Sequence, residues 1–142
     1  MSKLSDSLQT SLVNSFEMYT RAHQFHWNVE GILFPLYHDF FSGIYTEVHG
    51  SLDTFAEEIR AAGYYASLRS DPTMAKSKNP VGTQVKAMLQ ELQVANDETL
   101  KTLNEAFAAA SKEDAQGLAD FLSGRIDAHK KHAWMLKSCQ VA

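Results

Sequence analysis

The chain has 142 residues, 44% of them hydrophobic, and carries 13 Lys and Arg against 17 Asp and Glu, for a formal net charge of −4. This length suits one domain over residues 1–142, and the composition excludes a wholly disordered chain. The negative charge argues against DNA binding, which depends on Lys and Arg displacing counterions from phosphates. No apolar run is long enough to span a membrane and no signal-peptide pattern opens the chain, so we expect a cytoplasmic protein with no membrane partner.

Apolar residues recur at helical spacing in four segments, which predicts four helices and no strand. Ser5 is the expected N-cap of the first helix, Gly31 its C-cap, and Pro35 opens the second helix. The stripe of the first helix comprises Leu8, Leu12, Phe16, Tyr19 and Phe25 or His26. The second helix is expected over about residues 36–62, before Gly63.

The helical pattern breaks between Gly63 and about Pro80, which predicts a long crossover. A third helix is expected from Val81 or Thr83, with Phe107 among its core residues, and a fourth after a capped turn at residues 111–114. Two helical hairpins joined by one long crossover are typical of the ferritin-like four-helix bundle. The sequence therefore predicts an all-α fold of this type.

A second, polar stripe runs along the second helix beside the apolar one. It comprises His38, Ser42, Tyr45, His49, Asp53 and Glu57. These residues are three or four positions apart, so they share a broad face. A helix at the surface of a bundle needs one buried face, and a second specialised face predicts a further contact.

The polar stripe carries one candidate half of a metal site at each end, with His38 at the start and Asp53 and Glu57 at the end. His38 and Asp53 are fifteen residues apart, about 22 Å along a helix, so one chain cannot bring them to one metal ion. Folding the first hairpin about Gly31 brings His26 level with His38. A two-fold dimer with antiparallel second helices would place His38 opposite Glu57 of the partner subunit. Two such mixed sites per dimer would suit iron, with zinc or manganese as competitors.

Each of these residues also has an ordinary structural explanation. Interface histidines often only donate hydrogen bonds, and Asp53 with Glu57 could be a solvated face beside Arg60. A di-iron site within one chain is disfavoured, because such bundles use Glu-x-x-His pairs and no Glu here has a His three residues later. His129 and His132 lack a carboxylate pair, so we expect them to be packing or surface residues.

Residues 23–60 strongly resemble the Dps family, the mini-ferritins also described as DNA-binding proteins from starved cells. The resemblance rests on His26-Trp27-Asn28 followed by Gly31, a histidine at position 38, and the D-x-x-x-E pattern of Asp53 and Glu57. Residues 127–136 are similar to the last helix of the family. The resemblance implies a hollow homododecamer with ferroxidase activity, an oxidoreductase that oxidises Fe(II) with hydrogen peroxide in preference to oxygen. It also implies storage of ferric iron and protection against oxidative stress.

By motif, the metal ligands of the family fall on His26, His38, Asp53 and Glu57, with no catalytic residue beyond them. Trp27 matches a tryptophan beside the site, where it either takes up oxidising equivalents or is an ordinary buried aromatic residue.

Two departures from the family pattern bear on function. Ser42 stands where an Asp or Glu is usual, which implies weakened activity unless His49 or His23 compensates. The lysine-rich tail that many members use to hold DNA is absent. The sequence therefore leaves two functions open: an iron-oxidising storage cage, and a non-enzymatic cage with an impaired centre that sequesters metal or protects DNA.

Overall fold

The computed structural model describes residues 2–68 and 84–141, and over these residues its regular secondary structure is entirely helical. The four helices are α1 (Lys3–Asn28), α2 (Phe34–Ala61), α3 (Val85–Lys112) and α4 (Gln116–Ser138). α1 packs against both α2 and α3, and α3 packs against α4. This arrangement confirms the predicted ferritin-like four-helix bundle.

The ends of the first hairpin differ slightly from the sequence prediction. The hydroxyl of Ser2 accepts a hydrogen bond from the backbone N–H of Ser5 at 3.1 Å, so Ser2 caps α1 and the expectation for Ser5 was wrong. α1 ends at Asn28, before Gly31 is reached. Gly31 instead takes a φ of +128° in the turn, a conformation that favours glycine. Pro35 lies in the first turn of α2, where its missing N–H is tolerated.

The connection between the two hairpins was expected from Gly63 to about Pro80, and most of it lies outside the described residues, as do Val81 and Thr83. α3 begins at Val85. The expected capped turn at residues 111–114 is confirmed at the end of α3, where Asp114 takes a φ of +56°. The backbone N–H of Ala115 bonds to the carbonyl of Ala110 at 2.9 Å and that of Asp114 to the carbonyl of Ser111 at 3.1 Å. No side chain caps α4.

The core consists of two clusters, one at each end of the bundle. The cluster near the α1–α2 turn is built around Phe25, Phe41 and Met88. The other is built around Phe55, Leu103 and Leu122. Each carries residues from α2, so the packing of both clusters fixes the position of the polar stripe.

One predicted core residue is wrong, because Phe107 is 36% exposed while Ala106 and Ala110 are fully buried. The small side chains face the core and the phenyl ring lies beside them. None of the described helices is long and apolar enough to cross a bilayer.

Candidate metal centre

His26 in the last turn of α1 and His38 in the second turn of α2 hold each other in place. Nδ1 of His26 lies 2.7 Å from the backbone oxygen of His38, and Nδ1 of His38 lies 2.7 Å from the backbone oxygen of His26. The two rings stack with centroids 3.7 Å apart and planes inclined by 17°. The structure thus confirms that the two histidines come level across the turn.

These hydrogen bonds decide which ring nitrogen of each histidine is available. A carbonyl oxygen only accepts, so both Nδ1 atoms donate, and in the neutral ring the lone pair lies on Nε2. A backbone carbonyl bonded to one ring nitrogen is the usual way in which proteins fix the tautomer and orientation of a metal-binding histidine. His26 and His38 can therefore both offer Nε2 to a metal ion.

Asp53 and Glu57 lie one turn apart on α2, and both are exposed. The pKa of Glu57 is raised, first by a side-chain hydrogen bond with Asp53 and next by the negative charge of that residue. Because the two residues are four positions apart on one helix, their carboxyl groups are neighbours on its surface. Two like charges side by side repel each other, and a bound cation would relieve that repulsion.

The histidine pair and the carboxylate pair stay apart within one chain. Across residues 2–68 and 84–141, no three His, Cys, Asp or Glu side chains come close enough together to hold a metal ion. Each pair thus offers only two ligands, as the spacing along the second helix predicted.

An aromatic cluster that was not predicted from the sequence lies beside the histidine pair. It comprises Tyr19, His23 and Trp27 of α1 with Tyr45 and His49 of α2. Tyr19, His23 and Trp27 are four residues apart on α1, and this spacing could have predicted that they share one face of the helix. The hydroxyl of Tyr19 and Nδ1 of His23 are 3.0 Å apart. The ring of His23 stacks on that of Tyr45 with centroids 4.0 Å apart and planes inclined by 10°. Its centroid is 4.1 Å from that of Trp27.

Three residues of this region, Trp27, His49 and His23, were assigned possible roles at the metal site from the sequence. Trp27 is 60% exposed in the single chain, and its two interpretations, uptake of oxidising equivalents and ordinary packing, both stay predictions. His49 is exposed, and its ring centroid lies 4.8 Å from that of Tyr19. The pKa of His23 is lowered, first by burial and then by the charges of His26 and His49. Compensation for Ser42 by His49 or His23 stays a prediction.

A second polar cluster joins α2 to α4 and was also missed. The guanidinium of Arg125 donates to both carboxylate oxygens of Glu47, at 2.6 and 3.0 Å. Nε2 of His132 donates to Glu47 at 2.8 Å. Arg125 also donates to Nε2 of His129 at 3.1 Å, whose Nδ1 donates to the side-chain oxygen of Asn96 at 2.8 Å. Helices α2, α3 and α4 are linked by this chain of hydrogen bonds.

Burial and charge together set the protonation of this second cluster. Burial alone would raise the pKa of Glu47, but hydrogen bonds from His132 and Arg125, with their charges, hold it well below its usual range. Burial, followed by the positive charge of Arg125, lowers the pKa of His129 to about 3. His129 and His132 are both buried, which confirms the packing alternative and excludes the surface one.

Comparison with known proteins extends the resemblance to nearly the whole chain. Residues 5–140 match the family described as "Ferritin-like domain". The chain is 32% identical over 135 residues to the DNA protection during starvation protein of Brevibacillus brevis, covering 92% of this chain and 90% of that protein. It is 30% identical over 129 residues to DNA protection during starvation protein 2 of Bacillus anthracis, covering 85% of each.

Solved structures show the same fold. The crystal structure of a Dps protein from Bacillus brevis matches with a TM-score of 0.84 and 26% identity, covering 97% of this chain and 95% of that one. A Dps protein from Vibrio cholerae, described as belonging to a superfamily of ferritin-like diiron-carboxylate proteins, matches with a TM-score of 0.85 and 23% identity, covering 98% and 89%. Fold, length and sequence agree, and the chain belongs to the Dps family of ferritin-like proteins.

Proposed function

We propose that this protein binds Fe(II) at sites shared between two subunits, oxidises it with hydrogen peroxide, and stores the ferric product inside a homo-oligomeric cage. The cage is expected to be a dodecamer, and its activity would protect the cell against oxidative damage. The diiron-carboxylate description of the Vibrio cholerae relative supports iron as the metal.

The single observation that carries the proposal is the reciprocal hydrogen bonding of His26 and His38. Both Nδ1 atoms donate hydrogen bonds to backbone oxygens, so both Nε2 atoms are available to a metal ion. A pair that served only to pack the hairpin would not need two imidazoles in matched tautomers.

The other two ligands are proposed to come from a second subunit. Asp53 and Glu57 are exposed and adjacent at the far end of the polar stripe. An antiparallel contact between two copies of α2 would bring Glu57 of the partner subunit opposite His38. Two imidazoles and two carboxylates form a mixed nitrogen and oxygen ligand set that suits iron and also admits zinc or manganese. An open position on the bound iron would then receive peroxide.

Ser42 favours a second candidate function. Because serine supplies no negative charge where the family usually has a carboxylate, the site would hold a second iron ion weakly. The second candidate is a non-enzymatic cage that sequesters metal or protects DNA. The net charge of −4 counts against its DNA-binding form.

The test is an anaerobic Fe(II) titration of the purified oligomer, followed by peroxide, with ferric absorbance recorded over time. We expect saturable binding and fast oxidation that are lost in the double variant His26→Ala with His38→Ala and in Glu57→Gln. The neighbouring Glu58→Gln is the matched control and should behave as wild type. Unchanged rates in the double variant would contradict the proposal. A wild-type rate equal to that of iron without protein would support the second candidate.

A further inference from the structure

A cavity lies between α2 and α4, and the residues of α2 that line it belong to a different face of that helix from the polar stripe. We propose that this cavity binds a copper(I) ion through Nδ1 of His132 and the thioether sulfur of Met135. The inference does not depend on the proposed function, because no proposed iron ligand is among the described residues that line the cavity.

The cavity has a volume of about 320 Å³, at the small end of the range for ligand sites in proteins. Its apolar walls are formed by Phe40 and Ile44 from α2 and by Ala128 and Met135 from α4. Glu47 and His132 also line the cavity, and they are hydrogen-bonded to each other. The cavity thus combines apolar walls with a polar pair, as small ligand sites commonly do.

His132 has one ring nitrogen that lacks a hydrogen-bond partner. The residue is 6% exposed, and its Nε2 lies 2.8 Å from a carboxylate oxygen of Glu47. A carboxylate only accepts, so Nε2 donates and the lone pair of the neutral ring lies on Nδ1. Nδ1 is buried and has no hydrogen-bond partner among the described residues. Because a buried acceptor without a partner is unfavourable, a ligand bound at this atom would be stabilising.

The surroundings of His132 resemble those of a metal-binding histidine. Such a histidine usually donates its other ring N–H to a carboxylate, which fixes the ring and raises the basicity of the metal-binding nitrogen. Glu47 is that carboxylate, and it is itself fixed by the guanidinium of Arg125 at 2.6 and 3.0 Å. The ring of His129 meets that of His132 edge to face, with centroids 5.5 Å apart. The imidazole of His132 is therefore held in one tautomer and one orientation.

Met135 offers a second ligand on the same helix. It follows His132 by three residues, so the two side chains lie on the same side of α4, and both line the cavity. Met135 is half-buried. A thioether is a soft ligand, and soft sulfur ligands in proteins select copper(I). An imidazole and a thioether together therefore favour this ion over harder cations.

Other metal ions fit these residues poorly. Zinc sites in proteins are usually tetrahedral, and manganese prefers carboxylate and other oxygen ligands. Over residues 2–68 and 84–141, no three His, Cys, Asp or Glu side chains come close enough together for such a site. Copper(I) accepts a lower coordination number. It also carries a single charge, which costs less free energy to bury than a double charge.

Bound water is the alternative partner for Nδ1 of His132. A buried water usually makes about three hydrogen bonds, whereas much of the cavity wall is apolar. The carboxylate of Glu47 already accepts hydrogen bonds from His132 and Arg125. Water would therefore find few partners in this cavity, and the test distinguishes it from copper(I).

The test is an anaerobic titration of the purified oligomer with copper(I) in competition with the chelator bicinchoninate, followed by copper X-ray absorption spectroscopy. We expect copper in the wild type to have a sulfur neighbour. Met135→Leu keeps an apolar side chain of similar size, and it should lose this neighbour and bind copper(I) several-fold more weakly. His132→Gln keeps an amide donor for Glu47 but has no counterpart of Nδ1, so its affinity should also fall several-fold.

Two control variants make the same changes elsewhere in the bundle. His129→Gln replaces a histidine whose two ring nitrogens are both hydrogen-bonded, and Met88→Leu replaces a fully buried core methionine. Both should bind copper(I) as the wild type does.

Three results would overturn the proposal. A wild-type oligomer that does not compete with the chelator would leave water as the partner of Nδ1. Copper with only nitrogen and oxygen neighbours would lie at other sites, such as His26 and His38. Wild-type affinity in Met135→Leu would exclude the thioether as a ligand. The first two results come from the wild type, so the proposal can be refuted even if a variant fails to fold.

Discussion

His38 donates a hydrogen bond that caps the end of α1, and His26 donates one to a backbone oxygen near the start of α2. The carbonyl of His26 belongs to the last turn of α1, where backbone oxygens lack partners within the helix, and Nδ1 of His38 satisfies it at 2.7 Å. The reverse bond from His26 has the same length. The residues proposed to bind metal thus also close the first hairpin.

The two roles of His38 can be separated by substitution. Asn can place an amide N–H where Nδ1 lies but has no counterpart of Nε2, so His38→Asn should keep the cap and lose the ligand. His38→Ala should lose both, and a lost hydrogen bond to an otherwise unpaired carbonyl costs about 1 kcal/mol. Urea denaturation should show His38→Asn close to wild type and His38→Ala less stable, while Fe(II) titration shows both impaired. Equal stability of the two variants would mean that the cap contributes nothing.

Residue spacing predicted more of the candidate centre than of its surroundings. His26 and His38 lie at nearly equal distances from the turn, so antiparallel helices had to bring them level. The Tyr19–His23 bond was missed because it depends on side-chain rotamers, although both residues share a face. The burial of Arg125 was missed because a charged residue is expected at the surface, and its partner Glu47 lies on another helix.

The choice between Phe107 and Ala106 shows a limit of periodicity. Both positions fit an apolar stripe on α3 to within one residue. The larger side chain is the usual expectation for the core, but helices that approach closely leave room only for alanine. Sequence spacing does not give that approach distance.

Ser42→Asp tests whether serine weakens the centre. The substitution restores a negative ligand one turn after His38, so we expect tighter Fe(II) binding and a several-fold faster oxidation by peroxide. Ser42→Asn is the matched control, since it has the same size as Asp without the charge. Stopped-flow absorbance after anaerobic loading gives the rate. The same rate in Ser42→Asp and wild type would show that the missing carboxylate does not limit the reaction.

Stability should fall in mild acid because of His129. Its pKa is lowered from 6.5 to about 3. Between these pH values the imidazole of His129 is protonated in the unfolded chain but neutral in the folded chain. The stabilisation that depends on neutral His129 is therefore complete above about pH 6.5 and declines towards pH 3, by at most about 1.4 kcal/mol per pH unit. Glu47 acts in the same direction below about pH 4.5, its ordinary pKa.

His129→Gln isolates this effect. The amide of Gln can donate to Asn96 and accept from Arg125 but does not titrate, so the variant should show a shallower dependence of the urea midpoint on pH above pH 4.5. The lowered pKa of His23 leaves part of the slope in place. A His129→Gln variant with the wild-type slope would assign the acid sensitivity to other groups.

Mixing two inactive variants tests whether each site is shared between subunits. One variant carries His26→Ala and His38→Ala, and the other carries Asp53→Asn and Glu57→Gln. In a mixed dimer, the intact histidines of the second variant face the intact carboxylates of the first, so one of its two sites is complete. If subunits pair at random after dissociation and reassembly, half of the dimers are mixed and about a quarter of all sites should regain Fe(II) oxidation. A site built within one chain would gain nothing, because neither variant has all four ligands. Recovered oxidation would therefore require a two-fold contact between copies of α2, and an inactive mixture that had reassembled would contradict it.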